Sequence, residues 1–255
     1  MSSRNLVYEA LILRSKEVPS GSRVISMLSS EVGLIDAFVF GGPKSKLRSL
    51  ASPWGSGRAF IYHDPVKDYF KLSDFEVVEP FSGLRESLRK ILSANLVVEL
   101  LIKTSGGGGD FPEVLALSRA CLHGIEGLPE SRADYPLLLF IWRLVGIIGL
   151  LPDTGSCVHC GRDLVTGEAR TWVDQEGAFA CTRCRPPLEG EAHAPFISAG
   201  ASRWLDRASG LPFAEALGAS LDAASLAGLR RLAFTLARSA ADAPLEVLQA
   251  GNGIL

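Results

Sequence analysis

The sequence has few of the residues from which most enzyme active sites are built. It contains four histidines in 255 residues, His63, His123, His159 and His193. None of them lies in a His-Glu-x-x-His or nucleophile-elbow context, and the carboxylates are dispersed along the chain. We therefore expect a binding protein and not an enzyme.

The sequence also lacks an excess of positive charge and a long apolar run. Its 26 Lys and Arg are outnumbered by 28 Asp and Glu, so any nucleic-acid binding must come from a local basic patch. The longest apolar run, residues 137–151, is interrupted by Arg143 and is too short to span a bilayer. The N-terminal residues show no apolar signal-peptide core, which predicts a cytoplasmic protein without membrane contact.

Cysteine is scarce as well, but four of the five cysteines form two pairs. Cys157 and Cys160 make one Cys-x-x-Cys pair, Cys181 and Cys184 make the other, and twenty residues separate the pairs. Two residues between thiolates let one tight turn present both sulfurs to a metal, and a second turn closes the tetrahedron. The spacing predicts one structural Zn²⁺ site. A rubredoxin-like iron centre and a redox dithiol pair are the alternatives.

The residues around the cysteines agree with a small metal-stapled module. Residues 169–173 and 178–180 flank a turn-rich segment and are predicted to form a hairpin, which is marginal without a staple. His159 is a spare ligand for a four-sulfur site, so we expect it to be solvated. The fifth cysteine, Cys121, lies in an apolar helical pattern and is expected to be buried.

Residues 6–78 have the pattern of short β-strands, whereas helical periodicity begins at Ser82. About five strands in this length fit a small closed barrel, and the OB-fold is the commonest of that size, although periodicity equally allows an SH3-like barrel. The predicted fold class is α+β. A five-stranded OB-fold barrel at residues 1–80 precedes an all-α domain at 81–255, which is interrupted by the zinc module at about 153–188.

The barrel segment contains a basic stretch in which no acidic residue occurs between Asp36 and Asp64. Basic residues interleaved with aromatic ones suit sequence-tolerant binding of single strands. The alternative is a solvated loop with Trp54 in the core. The basic residues of the stretch are Lys44, Lys46, Arg48 and Arg58, and the charge pattern of the barrel adds Arg14 and Arg23 as candidate DNA contacts.

Three stretches together resemble the RecO family of bacterial recombination mediators. Residues 10–14 and 24–33, which end in Ser-Ser-Glu-Val-Gly, resemble the family's opening strands, in which a Thr/Ser-Glu-x-x-Gly turn leads to the third strand. Residues 42–48 resemble its Lys-Ser-Lys-Leu basic loop. Residues 140–161 carry a Phe-x-x-Arg-Leu helix, a Gly-x-x-Pro ending and then the first Cys-x-x-Cys-Gly. The order and spacing of these pieces cover nearly the whole chain.

The resemblance implies an N-terminal OB-fold and a helical domain with an embedded four-cysteine zinc module. It implies binding of single- and double-stranded DNA, annealing of complementary strands, and loading of RecA, together with RecR, onto strands coated by single-strand binding protein. It also implies work at the bacterial nucleoid. Lys44, Lys46 and Arg48 would contact phosphates, and the four paired cysteines would bind zinc.

One departure from the family pattern affects the expected DNA binding. Where the family commonly has Ala-Lys-Gly-x-Arg before the basic loop, this chain has Val-Phe-Gly-Gly-Pro at residues 39–43. We expect weaker or more salt-sensitive binding, or a transfer of contacts to Arg183, Arg185 and the C-terminal helix. The rival hypothesis is a zinc-ribbon and barrel scaffold that binds RNA or protein in transcription or translation.

Overall fold

The computed structural model describes residues 5–18, 23–40, 45–67, 69–185, 195–251 and 253–255. The contacts between Cα atoms divide the chain into two compact units. The first unit comprises Met1–Ala133 together with Leu245–Leu255, and the second comprises Asp134–Pro244.

Five strands of the first unit form a closed barrel. They are β1 (Asn5–Glu17), β2 (Arg23–Ser29), β3 (Gly33–Val39), β4 (Ser56–Asp64) and β5 (Tyr69–Glu79). Their order is β1-β2-β3-β5-β4, and β4 pairs with β1 to close the barrel. The β3–β5 pair is parallel and the other pairs are antiparallel. This Greek-key topology is that of an OB-fold, so the predicted barrel is confirmed.

The alternation of side chains along the strands explains the barrel core. In β3, Ile35, Ala37 and Val39 are buried, whereas Asp36 between them is exposed. Successive side chains of a strand point to opposite faces, so every second residue enters the interior. Apolar side chains from all five strands fill it, including Ile12, Ile25, Met27, Ala37, Ile61, Leu72 and Phe75.

Eight α-helices follow or accompany the strands, among the described residues. Numbered along the chain, they are α1 (Lys46–Leu50), α2 (Leu88–Lys103), α3 (Phe111–Gly127), α4 (Asp134–Ile147), α5 (Ala199–Ala208), α6 (Phe213–Ala216), α7 (Ala223–Ala241) and α8 (Glu246–Ala250). Short 3-10 helices occupy Ser82–Arg85 and Glu130–Arg132.

Helix α3 packs against one side of the barrel. Asp110 caps its start by accepting a hydrogen bond from the backbone N–H of Glu113 at 3.2 Å. The ring of Phe111 lies so close to Gly33 that a Cβ there would be 2.5 Å from it, and Gly33 has a φ of +75°. Only glycine accommodates both conditions. The side chains of Leu11 and Leu28 point to the outer face of the barrel wall. They are nevertheless buried, because α3 packs against β1 and β2.

The second unit is built around α4, which is buried along most of its length and packs against α7. Between α4 and α5 the chain forms a three-stranded sheet in the order β7-β6-β8. Its strands are β6 (Arg170–Val173), β7 (Ala178–Cys181) and β8 (Phe196–Ile197). In the part of the chain that the structure describes, no helix is both long and apolar enough to cross a membrane.

The change from strands to helices falls between the end of β5 at Glu79 and the 3-10 helix that begins at Ser82. Helices α2 and α3 belong to the same compact unit as the barrel. The predicted division into one domain at residues 1–80 and another at 81–255 therefore stays a prediction.

A half-buried carboxylate joins the end of the barrel to α3. Glu79 accepts hydrogen bonds from Arg119 at 2.6 Å and from His123 at 2.7 Å. Burial by itself would raise the pKa of Glu79, but the bonds from Arg119 and His123 outweigh it and lower the pKa below the ordinary 4.5. The ionised form of Glu79 thus stabilises the folded state.

We expect Glu79→Gln to lower the free energy of unfolding by about 1–3 kcal/mol at neutral pH, because Arg119 loses a charged partner. A depressed carboxyl pKa contributes stability above the unfolded pKa, and this contribution disappears as the pH falls through the folded pKa. The variant should therefore show a flatter loss of melting temperature below about pH 4.5 than the wild type. Glu76→Gln, at a carboxylate in an exposed ion pair, is the control and should follow the wild-type curve. Parallel curves for wild type and Glu79→Gln would contradict the assignment.

Candidate metal centre and nucleic-acid interface

Two tight turns present the four paired cysteines. In the first turn the backbone N–H of Gly161 donates to the carbonyl of Cys157 at 2.8 Å, and Gly161 has a φ of +69°. In the second, the N–H groups of Cys184 and Arg185 donate to the carbonyl of Cys181 at 3.1 and 3.0 Å. Cys181 is the last residue of β7, so the predicted hairpin of β6 and β7 delivers the second turn to the first.

The sulfur atoms have the spacing of a four-thiolate metal centre. All four Sγ atoms lie within 4.8 Å of one another, and those of Cys160 and Cys181 are 4.0 Å apart. A tetrahedral centre with metal–sulfur bonds of about 2.3 Å separates its sulfurs by about 3.8 Å. The residues present therefore fit a metal ion, with Cys157 and Cys181 buried and Cys160 and Cys184 exposed.

The cysteine sulfurs differ in how readily they ionise when no metal ion is bound. A hydrogen bond from Arg162 lowers the pKa of Cys181 to about 5. Burial opposes ionisation of Cys157, but backbone N–H donors led by Cys181 outweigh it and lower the pKa. Hydrogen bonds with Cys160 and Cys181 raise the pKa of Cys184 to about 12. The four sulfurs do not all ionise by themselves, whereas a bound dication converts all of them to thiolates.

Arg162 supplies a second layer of support to the cluster. Its guanidinium is bidentate to Glu168, with Nη1 at 3.1 Å from Oε2 and Nη2 against Oε1. Glu168 also accepts a hydrogen bond from the backbone N–H of Val165 at 3.2 Å. The pair therefore holds a fixed positive charge beside the Cys181 sulfur, which is the kind of contact that orients metal ligands.

A buried arginine anchors the cysteine hairpin to the rest of the second unit. Arg170 is 1% exposed, and its Nη1 and Nη2 donate to the carbonyl of Thr154 at 2.7 Å and to Ser202 Oγ at 2.5 Å. Asp206 balances its charge at 3.4 Å, and the guanidinium lies 5.6 Å from the ring centroid of Phe179. The hairpin and α5 are thus joined through one fully bonded side chain.

Cys121 and His159 are not part of the four-sulfur cluster. Cys121 is completely buried in α3, and burial raises the pKa of its thiol well above the ordinary value. His159 lies outside the four-sulfur group, with its Nδ1 3.7 Å from a carboxylate oxygen of Glu176. The expected buried cysteine is confirmed.

The described basic residues predicted to contact DNA lie in α1 and in strands β1, β2 and β4 of the first unit. Lys44 lies outside the described residues. Lys46 is exposed at the start of α1, and Arg48 lies in the same helix. That these residues contact DNA stays a prediction.

The three arginines taken from the charge pattern have neighbours on adjacent strands. Arg14 is exposed and donates to Ser26 Oγ at 3.1 Å. Arg23 pairs with Glu17 at 3.3 Å, and Arg58 pairs with Glu76 at 2.5 Å. Exposed pairs of this kind are worth about 0–1 kcal/mol, so a phosphate can compete for either arginine.

Trp54 is not available for stacking, because it is 7% exposed and lies beneath Arg85, whose guanidinium carbon is 4.7 Å from its ring centroid. The core position that the alternative gave to Trp54 is confirmed, whereas DNA binding by the basic residues of the stretch stays a prediction. Its backbone N–H donates to the carbonyl of Ile12 at 2.8 Å, which fixes the segment before β4 against β1.

The basic residues considered in the second unit differ in accessibility. Arg183, beside the cysteines, is exposed, and Arg185 is half-buried. Arg230 in α7 forms an ion pair with Asp134, whereas Arg231 and Arg238 are exposed on the same helix.

Comparisons with known proteins agree on one family. A family model described as "Recombination protein O C terminal" matches residues 85–243, which is more than half of the chain. The chain belongs to the RecO family. The matched segment begins after the barrel and includes α2 to α7 with all four paired cysteines.

Individual relatives give the same family. "DNA repair protein RecO" of Solidesulfovibrio magneticus is 29% identical over 188 residues, covering 73% of this chain and 75% of the relative. The proteins of the same name from a Synechococcus strain and from Desulforudis audaxviator are each 26% identical, over 197 and 179 residues. These matches cover 71% and 69% of this chain, and 63% and 69% of the respective relatives.

Sequence reasoning missed three residues that support the cysteine cluster. Arg162, Glu168 and Arg170 lie within the predicted module, and their charges in so small a segment were the available signal. It also missed Lys71, whose Nζ lies 5.6 Å from the ring centroid of Phe40 on the outside of the barrel, because the pairing of β3 with β5 is not readable from periodicity.

Replacing both Cys157 and Cys160 with Ser should abolish stoichiometric metal binding and lower the melting temperature of the second unit, because only two of the four ligands remain. Metal content by mass spectrometry and thermal unfolding measure the two effects. Cys121→Ala, which removes a thiol outside the cluster, is the control and should keep its metal. Full metal content in the double variant would refute the site.

Arg162→Ala should weaken metal binding by about 10- to 100-fold, because Cys181 and Glu168 are deprived of the supporting guanidinium while all four ligands remain. Competition with a chromophoric chelator measures the affinity. Arg183→Ala removes the same charge from an exposed neighbour and should change the affinity little. Equal affinities for the two variants would remove Arg162 from the supporting layer.

Proposed function

We propose that this RecO-family chain is a DNA-binding recombination mediator in DNA repair. Membership of the family supports a role in repair and recombination, and the relatives carry the name DNA repair protein RecO. The observation that carries the proposal is a closed OB-fold barrel in the same chain as the RecO C-terminal segment. OB-folds bind nucleic-acid strands through the outer face of their sheet and the loops around it.

The proposed activity is to bind single- and double-stranded DNA and to anneal complementary strands. With RecR, the protein would load RecA onto strands coated by single-strand binding protein, at the nucleoid in the bacterial cytoplasm. Such work requires no making or breaking of covalent bonds. It requires a cationic surface that neutralises phosphates and protein contacts that recruit or displace partners.

Because the whole chain has a net charge of −2, DNA binding requires a local group of basic residues on the barrel. Exposed Lys46 and Arg14, with Lys44 and Arg48 of the same basic segment, are the proposed phosphate contacts. Arg23 and Arg58 are proposed to contribute less, because each gives up an ion pair with Glu17 or Glu76 when it contacts a phosphate.

We propose Zn²⁺ as the metal of the cysteine cluster, with a structural role. Four thiolates close a tetrahedral coordination shell and leave no position for a substrate, which is typical of structural zinc. The metal would hold the hairpin of β6 and β7 between α4 and α5. Elemental analysis of the purified protein distinguishes zinc from iron, and a four-thiolate iron centre would contradict the proposal.

The DNA-binding site is tested by replacing Lys44, Lys46 and Arg48 together with Ala. The variant should bind fluorescent single-stranded DNA more weakly, and the slope of log K against log salt should fall by about 0.7 for each phosphate that the variant no longer neutralises. A salt titration of fluorescence anisotropy measures both quantities. Annealing of complementary oligonucleotides should slow in parallel.

Arg203 and Arg207 are exposed in α5, outside every segment considered as a DNA contact, and provide a control that removes surface charge. The double Ala variant at these positions should keep the wild-type slope. An unchanged slope for Lys44, Lys46 and Arg48 would move the DNA site elsewhere. A strong preference of the wild type for structured RNA over DNA strands would favour the scaffold hypothesis.

A further inference from the structure

Three aromatic side chains that do not belong to the barrel core cluster on the outside of the barrel. Phe38 and Tyr69 have ring centroids 5.2 Å apart at an interplanar angle of 27°, and Phe38 and Phe40 are 6.4 Å apart at 18°. Phe40 and Tyr69 are 6.3 Å apart. We refer to Phe38, Phe40 and Tyr69 as the aromatic platform.

The platform faces outward because of the register of the strands. Phe38 lies between buried Ala37 and Val39 and so projects from the opposite face of β3. Val24 of β2 is directly opposite Phe38, and Lys71 of β5 is its partner on the other side. Phe40 is 46% exposed, and Phe38 and Tyr69 are half-buried by each other and their neighbours.

One cation lies beside the platform, and others project from the neighbouring strands and turn. Lys71 Nζ lies 5.6 Å from the ring centroid of Phe40. Lys16 of β1 pairs with Val24 and is exposed, so it projects from the same row of the barrel. Arg14 occupies the adjacent row and is exposed, and Lys67 is exposed in the turn between β4 and β5.

Two acidic residues of the described barrel near the platform, Asp36 and Asp64, accept hydrogen bonds. Asp36, in the same row as Arg14, accepts a hydrogen bond from Ser26, which itself accepts one from Arg14. Asp64, opposite Tyr69, accepts a hydrogen bond from the backbone N–H of Val66 at 3.0 Å. These two carboxylates keep their negative charge, but the four described cations Arg14, Lys16, Lys67 and Lys71 outnumber them, which suits a polyanion.

We propose that the aromatic platform stacks unpaired bases of single-stranded DNA, while Lys71 and Lys16 contact the adjoining phosphates. This inference deepens the proposed function and rests on it. Exposed rings beside cations match the two components of single-strand binding, since every base offers a π-face and every nucleotide a phosphate. In a duplex the faces of the bases are covered by their neighbours, so the platform would favour single strands over paired ones.

The test compares the double variant Phe40→Leu/Tyr69→Leu with the wild type. Leucine keeps apolar surface but removes the ring. The probes are a labelled oligo-dT strand of about 16 nucleotides, near the upper end of OB-fold site sizes, and an abasic strand of the same length. The variant should bind oligo-dT about 5- to 100-fold more weakly, with an unchanged salt slope because the cations that contact phosphates are all retained. Its affinity for the abasic strand and for duplex DNA should equal that of the wild type.

Two further variants separate stacking from general apolar contact. Phe40→Tyr/Tyr69→Phe keeps both rings and should bind like the wild type. Val78→Ala removes an exposed apolar side chain elsewhere on β5 and should also have no effect. Circular dichroism and melting temperature of each variant report whether the barrel is intact.

Several results would overturn the inference. If the wild type binds the abasic strand as tightly as oligo-dT, or if the double Leu variant binds oligo-dT normally, the platform does not stack bases. Loss of RecR binding with normal DNA binding would show that the surface serves a protein. A wild type that binds no single strand at low salt would instead refute the proposed function itself.

Discussion

The crowding of four cysteine sulfurs within 4.8 Å of one another is the constraint on which the second unit depends. The sheet beside them has strands of four, four and two residues, too little to hold a core of its own. A metal bound by the sulfurs would join the start of the module at Cys157 to the end of its hairpin at Cys181. Such a staple would replace the apolar contacts that so short a segment cannot make.

Two partly or fully buried arginines also hold the cysteine module in place. Arg162 with Glu168 supports the cluster from one side, and Arg170 connects the hairpin to α5. A buried guanidinium is costly unless its donors are satisfied, and Arg170 has a carbonyl, a hydroxyl, a carboxylate and an aromatic ring as partners. Such a set of contacts has one geometry, so it fixes how the module attaches to the helices that flank it.

The barrel of the first unit has two different outer surfaces. On one side α3 covers β1 and β2, and residues such as Leu11 are buried beneath it. On the other side the rows that contain Arg14 and Phe38 remain accessible. One side of the barrel therefore packs against α3, and the proposed DNA strand would bind to the exposed residues of the other rows. A chain with more acidic than basic residues can bind DNA in this way only through such a local surface.

The sequence by itself determined the features that depend on local order. Cysteine spacing specified the four-sulfur cluster, and two-residue alternation specified the strands. Only the tertiary structure decided that Trp54 is buried and that Phe38, Phe40 and Tyr69 meet beside Lys71. The reason is physical. Periodicity shows which face of its own strand a side chain takes, whereas strand pairing and helix packing decide which strands are neighbours and which outer faces are covered.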